Sequence, residues 1–177
     1  HPTQLGRDWV KLHGSEIAKY CPIVSGGARG IDSEAHWAAL QNGGKTVAFL
    51  PGSVDEVYPS TNRGLFDFVL ETGGALVSEF AAGTEIRAGN FHRRNRLIAG
   101  LAHALIVVEA GAKSGTLMTA NKARDENVEV FVVPGSPLLD SYFGSNALIR
   151  DGAQFLCNGR QVIDYLLEKN VLKKNNQ

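Results

Sequence analysis

Short apolar runs rich in β-branched residues alternate along this chain with longer segments that mix apolar and polar positions. Parallel strands that are buried on both faces give such continuous apolar runs. The run at 104–109 is apolar up to its final residue, as expected for a central strand covered on both faces. Five runs of this kind predict strands at residues 22–25, 46–50, 75–78, 104–109 and 128–133.

The segments between these runs have apolar positions at helical spacing. In the last of them, Val162, Ile163 and Leu166 share one face, which is expected to pack inward. Glycine pairs follow the second and third segments, as is common at helix ends. The predicted helices cover residues 8–19, 32–42, 61–71, 94–101, 115–126 and 160–168. This alternation predicts an α/β fold with a mostly parallel sheet.

The length of 177 residues suits one domain, expected over residues 1–170, with a frayed tail at 171–177. Lys and Arg together number 18, as do Asp and Glu, so a polyanion site would require local clustering of basic residues. Cys21 and Cys157 lack metal-ligand spacing and are expected to be buried, reduced thiols of a cytosolic protein, with a disulfide between them as the alternative. No apolar run approaches the roughly 20 residues of a membrane span, and no signal peptide is recognisable.

Loops of small residues follow four of the predicted strands and are expected at one edge of the sheet, where open α/β proteins bind ligands. Glycine lets successive N–H groups approach a phosphate, and the following helix adds its positive dipole end. Two of the loops also contain a cation, which favours an anion site over the alternative that glycine only permits tight turns. The candidate phosphate-binding residues in these two loops are Ser25, Gly26, Gly27, Arg29, Gly30, Lys113, Ser114, Gly115 and Thr116.

A second basic feature lies between residues 87 and 96, which include four arginines, one histidine and no acidic residue. The arginine fork suits phosphate oxygens, and its flat face can stack on a base. A solvated surface face is the alternative, as is core packing for Phe91, which could otherwise stack on a base. Glu79 and Glu109 end strands and could brace the arginines. The candidate residues of this block are Arg93, Arg94, Asn95 and Arg96.

No set of residues in the sequence indicates catalysis. A nucleophile elbow, a Walker loop and a metal-ligand cluster are all missing from the sequence, so no catalytic residue, metal or cofactor is predicted. Asp32 is expected to support the start of its own helix. His36 follows it by four residues, a spacing that permits a hydrogen bond as readily as proton transfer.

Taken together, these motifs resemble the DNA-processing protein A family over nearly the whole chain. The arginine block and the Ser-Gly-Thr loop are specific in combination. The matching segments are 25–32 with Ala35 and His36, Tyr58, Pro59 and Asn62, then 74–79, 91–100, 107–110, 114–120, 133–135 and 144–149, with Gly152 and Ala153.

The resemblance implies an extended, doubly wound Rossmann-like fold with helices on both faces of the sheet. It also implies a non-enzymatic, cytosolic bacterial protein that binds single-stranded DNA and loads RecA recombinase during natural transformation. Homodimerisation through this domain is implied as well. The glycine-containing loops and the arginines along one edge suit a DNA backbone that is contacted without sequence preference.

The chain departs from the family pattern in three respects. The family's first strand, which ends in a Gly-Ser-Arg turn belonging to its DNA pocket, would precede His1, so a central strand is expected to be missing and its neighbours to have exposed edges. By the same resemblance, the family's N-terminal helical module and C-terminal winged-helix-like module are not expected within these 177 residues. His92 replaces a proline, which is expected to shift the loop more than the arginines.

Two other functions fit part of the pattern. The lysine-decarboxylase-like phosphoribohydrolases have a similar fold, but Thr119 stands where their catalytic glutamate would be, and a hydroxyl cannot replace that general base. A sensor of mononucleotides or cyclic dinucleotides could use the same loops. Such a pocket would saturate at one nucleotide, whereas a DNA site gains affinity with oligonucleotide length.

Overall fold

The computed structural model of this protein describes residues 2–173 and contains two parallel sheets of three strands each. The first has the strand order β1-β2-β3 and the second β4-β5-β6. Residue pairs such as Val24 with Val47 and Ile106 with Phe131 fix the register. The strands are β1 Ile23–Ser25, β2 Thr46–Phe49, β3 Ala75–Val77, β4 Ala104–Val107, β5 Glu129–Val132 and β6 Gln154–Phe155.

Helices flank both sheets and connect successive parallel strands, as such strands require. They are α1 Gln4–Trp9, α2 Ser15–Ala18, α3 Ile31–Leu40, α4 Arg63–Glu71, α5 Ala88–Leu101, α6 Gly115–Asp125, α7 Phe143–Arg150 and α8 Gly159–Glu168. A π-helical turn, Val10–Gly14, joins α1 to α2, and short 3₁₀ turns lie at Ser60–Asn62 and Asp140–Tyr142.

The helix ends follow from local sequence. Thr3 caps α1 by accepting a hydrogen bond from Gly6, and Ser114 caps α6 by accepting one from Thr116. Gly43 and Gly73 have positive φ angles beyond the ends of α3 and α4, where residues with a Cβ would be strained. These caps fix where α1 and α6 start and where α3 and α4 stop.

A shared hydrophobic core joins the two sheets. Val10 from the π-helical turn, Phe131 from β5 and Ile163 from α8 are buried in one cluster. Ile23 of β1 and Ile106 of β4 pack against this cluster from the two different sheets. Within residues 2–173, β1 and β4 each pair with one strand only, and their residues are mostly half-buried, in contrast to the largely buried β2 and β5.

The five predicted strands and six predicted helices are all present, and the α/β, doubly wound fold class is confirmed. The strands form two sheets where one was predicted, and β1 and β4 are not hydrogen-bonded to each other. The pattern did not predict α7 or the two-residue β6, and α5 begins six residues before the expected position. Residues 174–177 of the predicted frayed tail lie outside the described residues, as does His1. Among residues 2–173, no helix combines the length and apolar composition that crossing a bilayer requires.

Candidate nucleic-acid interface

The loops that follow β1 and β4 meet at the start of the described chain. A side chain at Gly30, after β1, would come within 3.1 Å of the Pro2 ring. The Glu109 carboxylate, after β4, accepts hydrogen bonds from the Thr3 amide at 3.0 and 3.1 Å and from the Thr3 hydroxyl at 2.6 Å. The carboxyl ends of strands from both sheets therefore share one edge of the molecule, which we call the carboxyl edge. Glu109 anchors α1 there and makes no contact with the arginine block.

The glycine-rich loop after β1 holds a carboxylate of the chain itself. One oxygen of Asp32 accepts hydrogen bonds from the amides of Gly26 and Ala28, at 3.1 and 3.2 Å. Gly27 between them has a φ of +64°, which turns both amides towards the same point. The Gly30 amide donates to the Ser33 hydroxyl. The sequence predicts that this loop binds a phosphate, but in the structure these three amides donate to side chains of the chain itself.

Arg94 supports this loop from inside the fold. Its side chain is only 5% exposed, and one guanidinium nitrogen, Nη1, donates to the carbonyls of Gly26 and Phe49, both at 2.6 Å. Its Nε donates to the side chain of the half-buried Asn95. Burial lowers the pKa of Arg94, and the nearby Asp32 carboxylate opposes that effect. Gly26 must lack a Cβ because that atom would lie 2.6 Å from the guanidinium. Arg94 therefore differs from the surface phosphate ligand that the sequence predicts.

His36 is a further buried group beneath the same loop. Its Nδ1 lies 2.6 Å from the Thr46 hydroxyl, which itself donates to the carbonyl of Ile23, so the imidazole proton is on Nδ1. Nε2 is buried and has no partner among residues 2–173. Burial lowers the pKa of His36 to about 4; Asp32 opposes this shift and Arg94 adds to it. The imidazole is neutral at pH 7 and makes its hydrogen bond to Thr46 rather than to Asp32.

Four of the five cationic side chains of the predicted site are exposed at the carboxyl edge. Arg29 is held in place by a hydrogen bond from its Nε to the Thr61 hydroxyl, at 3.2 Å. Lys113, after β4, makes no ion pair with the part of the chain that the structure describes. Arg93 and Arg96 lie one turn apart on α5 and both contact the same Glu79 carboxylate oxygen. Glu79 braces two arginines, as the sequence suggested for it.

The loop after β4 mainly provides the cap of α6. Ser114 is half-buried and its hydroxyl accepts from the Thr116 amide at 3.2 Å, which leaves Lys113 and Gly115 exposed at the helix N-terminus. Thr119, one turn further into the helix, is buried. The hydroxyl at the position of the hydrolase glutamate therefore does not reach the carboxyl edge.

The side chains that tie these loops together were not predictable from local sequence patterns. Asn62 donates to the carbonyl of Gly27 at 2.9 Å, and Thr61 accepts from Arg29, so the 3₁₀ turn before α4 is attached to the glycine-rich loop. The use of Asp32 by the loop was also missed. An aspartate just inside the helix start, following a glycine with positive φ, is the signal that could have indicated it.

A Rossmann-like domain of parallel sheets, with cations exposed where the strands end, is the class of protein that this fold and site define. Residues 1–167 match the family described as DNA recombination-mediator protein A, and the chain belongs to that family. The resemblance noted from the motifs is thereby confirmed.

Among similar proteins, DNA processing protein DprA of Streptococcus pneumoniae is 43% identical over 141 residues, which are 80% of this chain and 50% of that protein. An X-ray structure of DprA from the same species gives a TM-score of 0.86 at 38% identity and covers 92% of this chain and 57% of that one. The chain spans about half the length of the curated relatives it matches.

A second similar structure is that of DNA processing protein A from Helicobacter pylori, whose single-stranded DNA binding mode it describes. It gives a TM-score of 0.85 at 31% identity and covers 96% of this chain and 77% of that one.

Proposed function

We propose that the carboxyl edge of this chain binds the backbone of single-stranded DNA without sequence preference and without catalysing a reaction. One observation carries the proposal: Arg29, Arg93, Arg96 and Lys113 are exposed on three separate segments of one edge, in a chain whose net charge is zero. Clustered cations on an otherwise balanced surface attract a polyanion to that edge.

The predicted site residues then divide into two groups. The four exposed cations contact phosphates, and the N-terminus of α6 at Ser114, Gly115 and Thr116 adds its dipole to the contact made by Lys113. The other group forms and supports the glycine-rich loop that positions Arg29. Its members are Ser25, Gly26, Gly27, Gly30, Arg94 and Asn95.

The relatives support this proposal and suggest its setting. The Helicobacter pylori protein of the same fold binds single-stranded DNA, and the family is described as a recombination mediator. We propose that this chain acts in the bacterial cytoplasm during natural transformation, as a homodimer that loads RecA recombinase onto single-stranded DNA. Mixing the chain with RecA and single-stranded DNA coated with single-strand-binding protein should speed RecA filament assembly. An unchanged assembly rate would contradict the loading role.

A charge-reversal experiment tests the DNA site directly. The 177-residue chain is titrated against labelled oligo-dT of 20 nucleotides, alongside Arg29→Glu/Lys113→Glu and the control Lys19→Glu/Lys45→Glu. Lys19 and Lys45 are exposed just before β1 and β2, at the opposite ends of the strands, and the control changes the net charge equally. We expect the first variant to lose at least about tenfold in affinity at low salt and the control to lose little. Equal effects of the two variants would contradict the site.

The same assay distinguishes the alternative functions. If affinity rises from one nucleotide to a 20-mer, the ligand is a strand, whereas saturation at a mononucleotide indicates a sensor pocket. Release of ribose phosphate from a nucleoside monophosphate would indicate a hydrolase.

A further inference from the structure

An exposed aromatic side chain, Tyr58, lies at the carboxyl edge, in a loop attached to the segment that carries Arg29. Its side chain is 45% exposed in the loop between β2 and α4. The ring packs edge-to-face against the half-buried Phe91 of α5, with 5.7 Å between ring centroids and an interplanar angle of 79°. Each ring has two faces, and in this arrangement Phe91 covers at most one face of Tyr58.

The loop that carries Tyr58 is anchored on both sides. Asn62 donates to Gly27 and Arg29 donates to Thr61, which tie the loop to the glycine-rich loop. On the other side, Asn90 of α5 donates to the carbonyl of Pro51 at 2.9 Å. Tyr58 therefore lies between Arg29 and the helix that carries Arg93 and Arg96, in a loop that needs little ordering before it binds.

We propose that Tyr58 is a stacking platform for a nucleobase, placed between the cations that hold the neighbouring phosphates. This inference rests on the proposed DNA-binding function and adds a base contact to a backbone site. Every base has an apolar face, so an aromatic ring contributes affinity without selecting a sequence. A flat, partly exposed ring flanked by cations suits a single strand, whose bases are free to turn towards the protein.

The test compares two ligands that have equal numbers of phosphates: oligo-dT of 12 nucleotides and an abasic strand of the same length. We expect the wild-type chain to bind oligo-dT about tenfold more tightly than the abasic strand. Tyr58→Ala should bring the ratio of the two affinities close to one, because it weakens binding of oligo-dT far more than binding of the abasic strand. Tyr58→Phe, which keeps the ring, should retain the ratio.

Two further variants separate stacking from support of Phe91. Tyr58→Leu keeps an apolar side chain against Phe91 but has no aromatic face, so it should behave like Tyr58→Ala. Tyr20→Ala removes a tyrosine of similar exposure, 47%, at the end of α2 and should leave both affinities unchanged. Unfolding midpoints of all variants establish that each is folded.

Two results would overturn the inference while leaving the proposed function intact. One is an unchanged affinity for both strands in Tyr58→Ala and Tyr58→Leu. The other is an equal loss on both strands, which would make Tyr58 a support for the cations. Failure of the wild-type chain to bind either strand would instead overturn the DNA-binding function and the inference together.

Discussion

Arg93 and Arg94 are neighbours in α5, yet their guanidinium groups end in opposite environments. Arg93 lies over the ring of Phe80 at the surface, 5.1 Å from its centroid, whereas Arg94 satisfies two buried carbonyls. Sequence alone favoured the same role for both, because each matches the arginine block equally well. The difference arises from the rotation of about 100° between successive residues of a helix, which turns one side chain inward.

Replacement of Arg94 should therefore affect stability before it affects binding. Arg94→Ala leaves the carbonyls of Gly26 and Phe49 buried without a donor, and we expect it to lower the free energy of unfolding by about 3 kcal/mol. Arg93→Ala is the matched control and should change it by less than about 0.5 kcal/mol while weakening DNA binding. Urea unfolding measures both values, and similar losses for the two variants would contradict the assignment.

His36 makes stability depend on pH. Its folded-state pKa of about 4 lies below the ordinary value of 6.5, so between these values the unfolded chain binds a proton that the folded chain does not. Acidification through this window favours unfolding, and the contribution lost amounts to up to about 3 kcal/mol.

Unfolding in urea at pH 7.5, 6.0 and 5.0 should show this loss in the wild-type chain. His36→Gln removes the titrating group and should flatten the dependence, although its stability at pH 7.5 is lower. Identical pH dependence in the two proteins would show that His36 is not responsible.

The conformation of the glycine-rich loop between β1 and α3 limits substitution at Gly27. Gly27 has a φ of +64°, and a Cβ there would lie 2.6 Å from the buried Phe66 ring. Gly27→Ala combines backbone strain with a clash, and we expect a loss of at least about 2 kcal/mol in the free energy of unfolding. Gly64→Ala in α4, where a Cβ meets no atom within 4 Å, should be neutral or slightly stabilising. Equal melting temperatures for the two variants would contradict this account.

Strands and most helices were predictable because apolar periodicity is a local property of the sequence. The start of α5 was not, because Asn90 stabilises it through a hydrogen bond to the carbonyl of Pro51, 39 residues away in the sequence. Helix α7 has a similar origin: its Ser145 exchanges hydrogen bonds with Ala110, far away in the sequence. β6 is too short to give any periodic signal.

For the candidate site, the sequence predicted which residues lie at the edge of the sheet but not which partners they bind. The residue types and their position at strand ends follow from the sequence, since parallel strands bring their following loops to one edge. The partners of those residues do not follow, because hydrogen bonds such as those between Asp32 and the amides of Gly26 and Ala28 depend on the exact path of the loop. Tyr58 was visible only as part of a motif, and its exposure required the structure.

At the scale of the whole molecule, the charge is balanced overall but unevenly distributed. The 18 basic residues equal the 18 acidic ones, and most ion pairs elsewhere join residues that are close in the sequence, such as Arg160 with Asp164. At the carboxyl edge, Arg29 and Lys113 have no acidic partner within residues 2–173. The edge is therefore the region where a polyanion gains most from contact with the protein.

The carboxylate of Glu79 has a consequence for the number of ions exchanged when DNA binds. Together with Arg93 and Arg96 it forms a group with a net charge of one, so this group neutralises about one phosphate instead of two. Together with Arg29 and Lys113, this group displaces the counterions of about three phosphates. The plot of log affinity against log salt should then have a slope near −2.1.

Glu79→Gln removes the carboxylate, so the group formed with Arg93 and Arg96 has a net charge of two instead of one. We expect its slope to steepen to about −2.8 and its affinity at low salt to rise, whereas Glu71→Gln, at an exposed position before β3, should change neither. Equal slopes for the wild-type chain and Glu79→Gln would show that the pair of arginines already counts as two charges. By this reasoning, one acidic side chain sets how strongly the salt concentration of the cell controls the occupancy of the site.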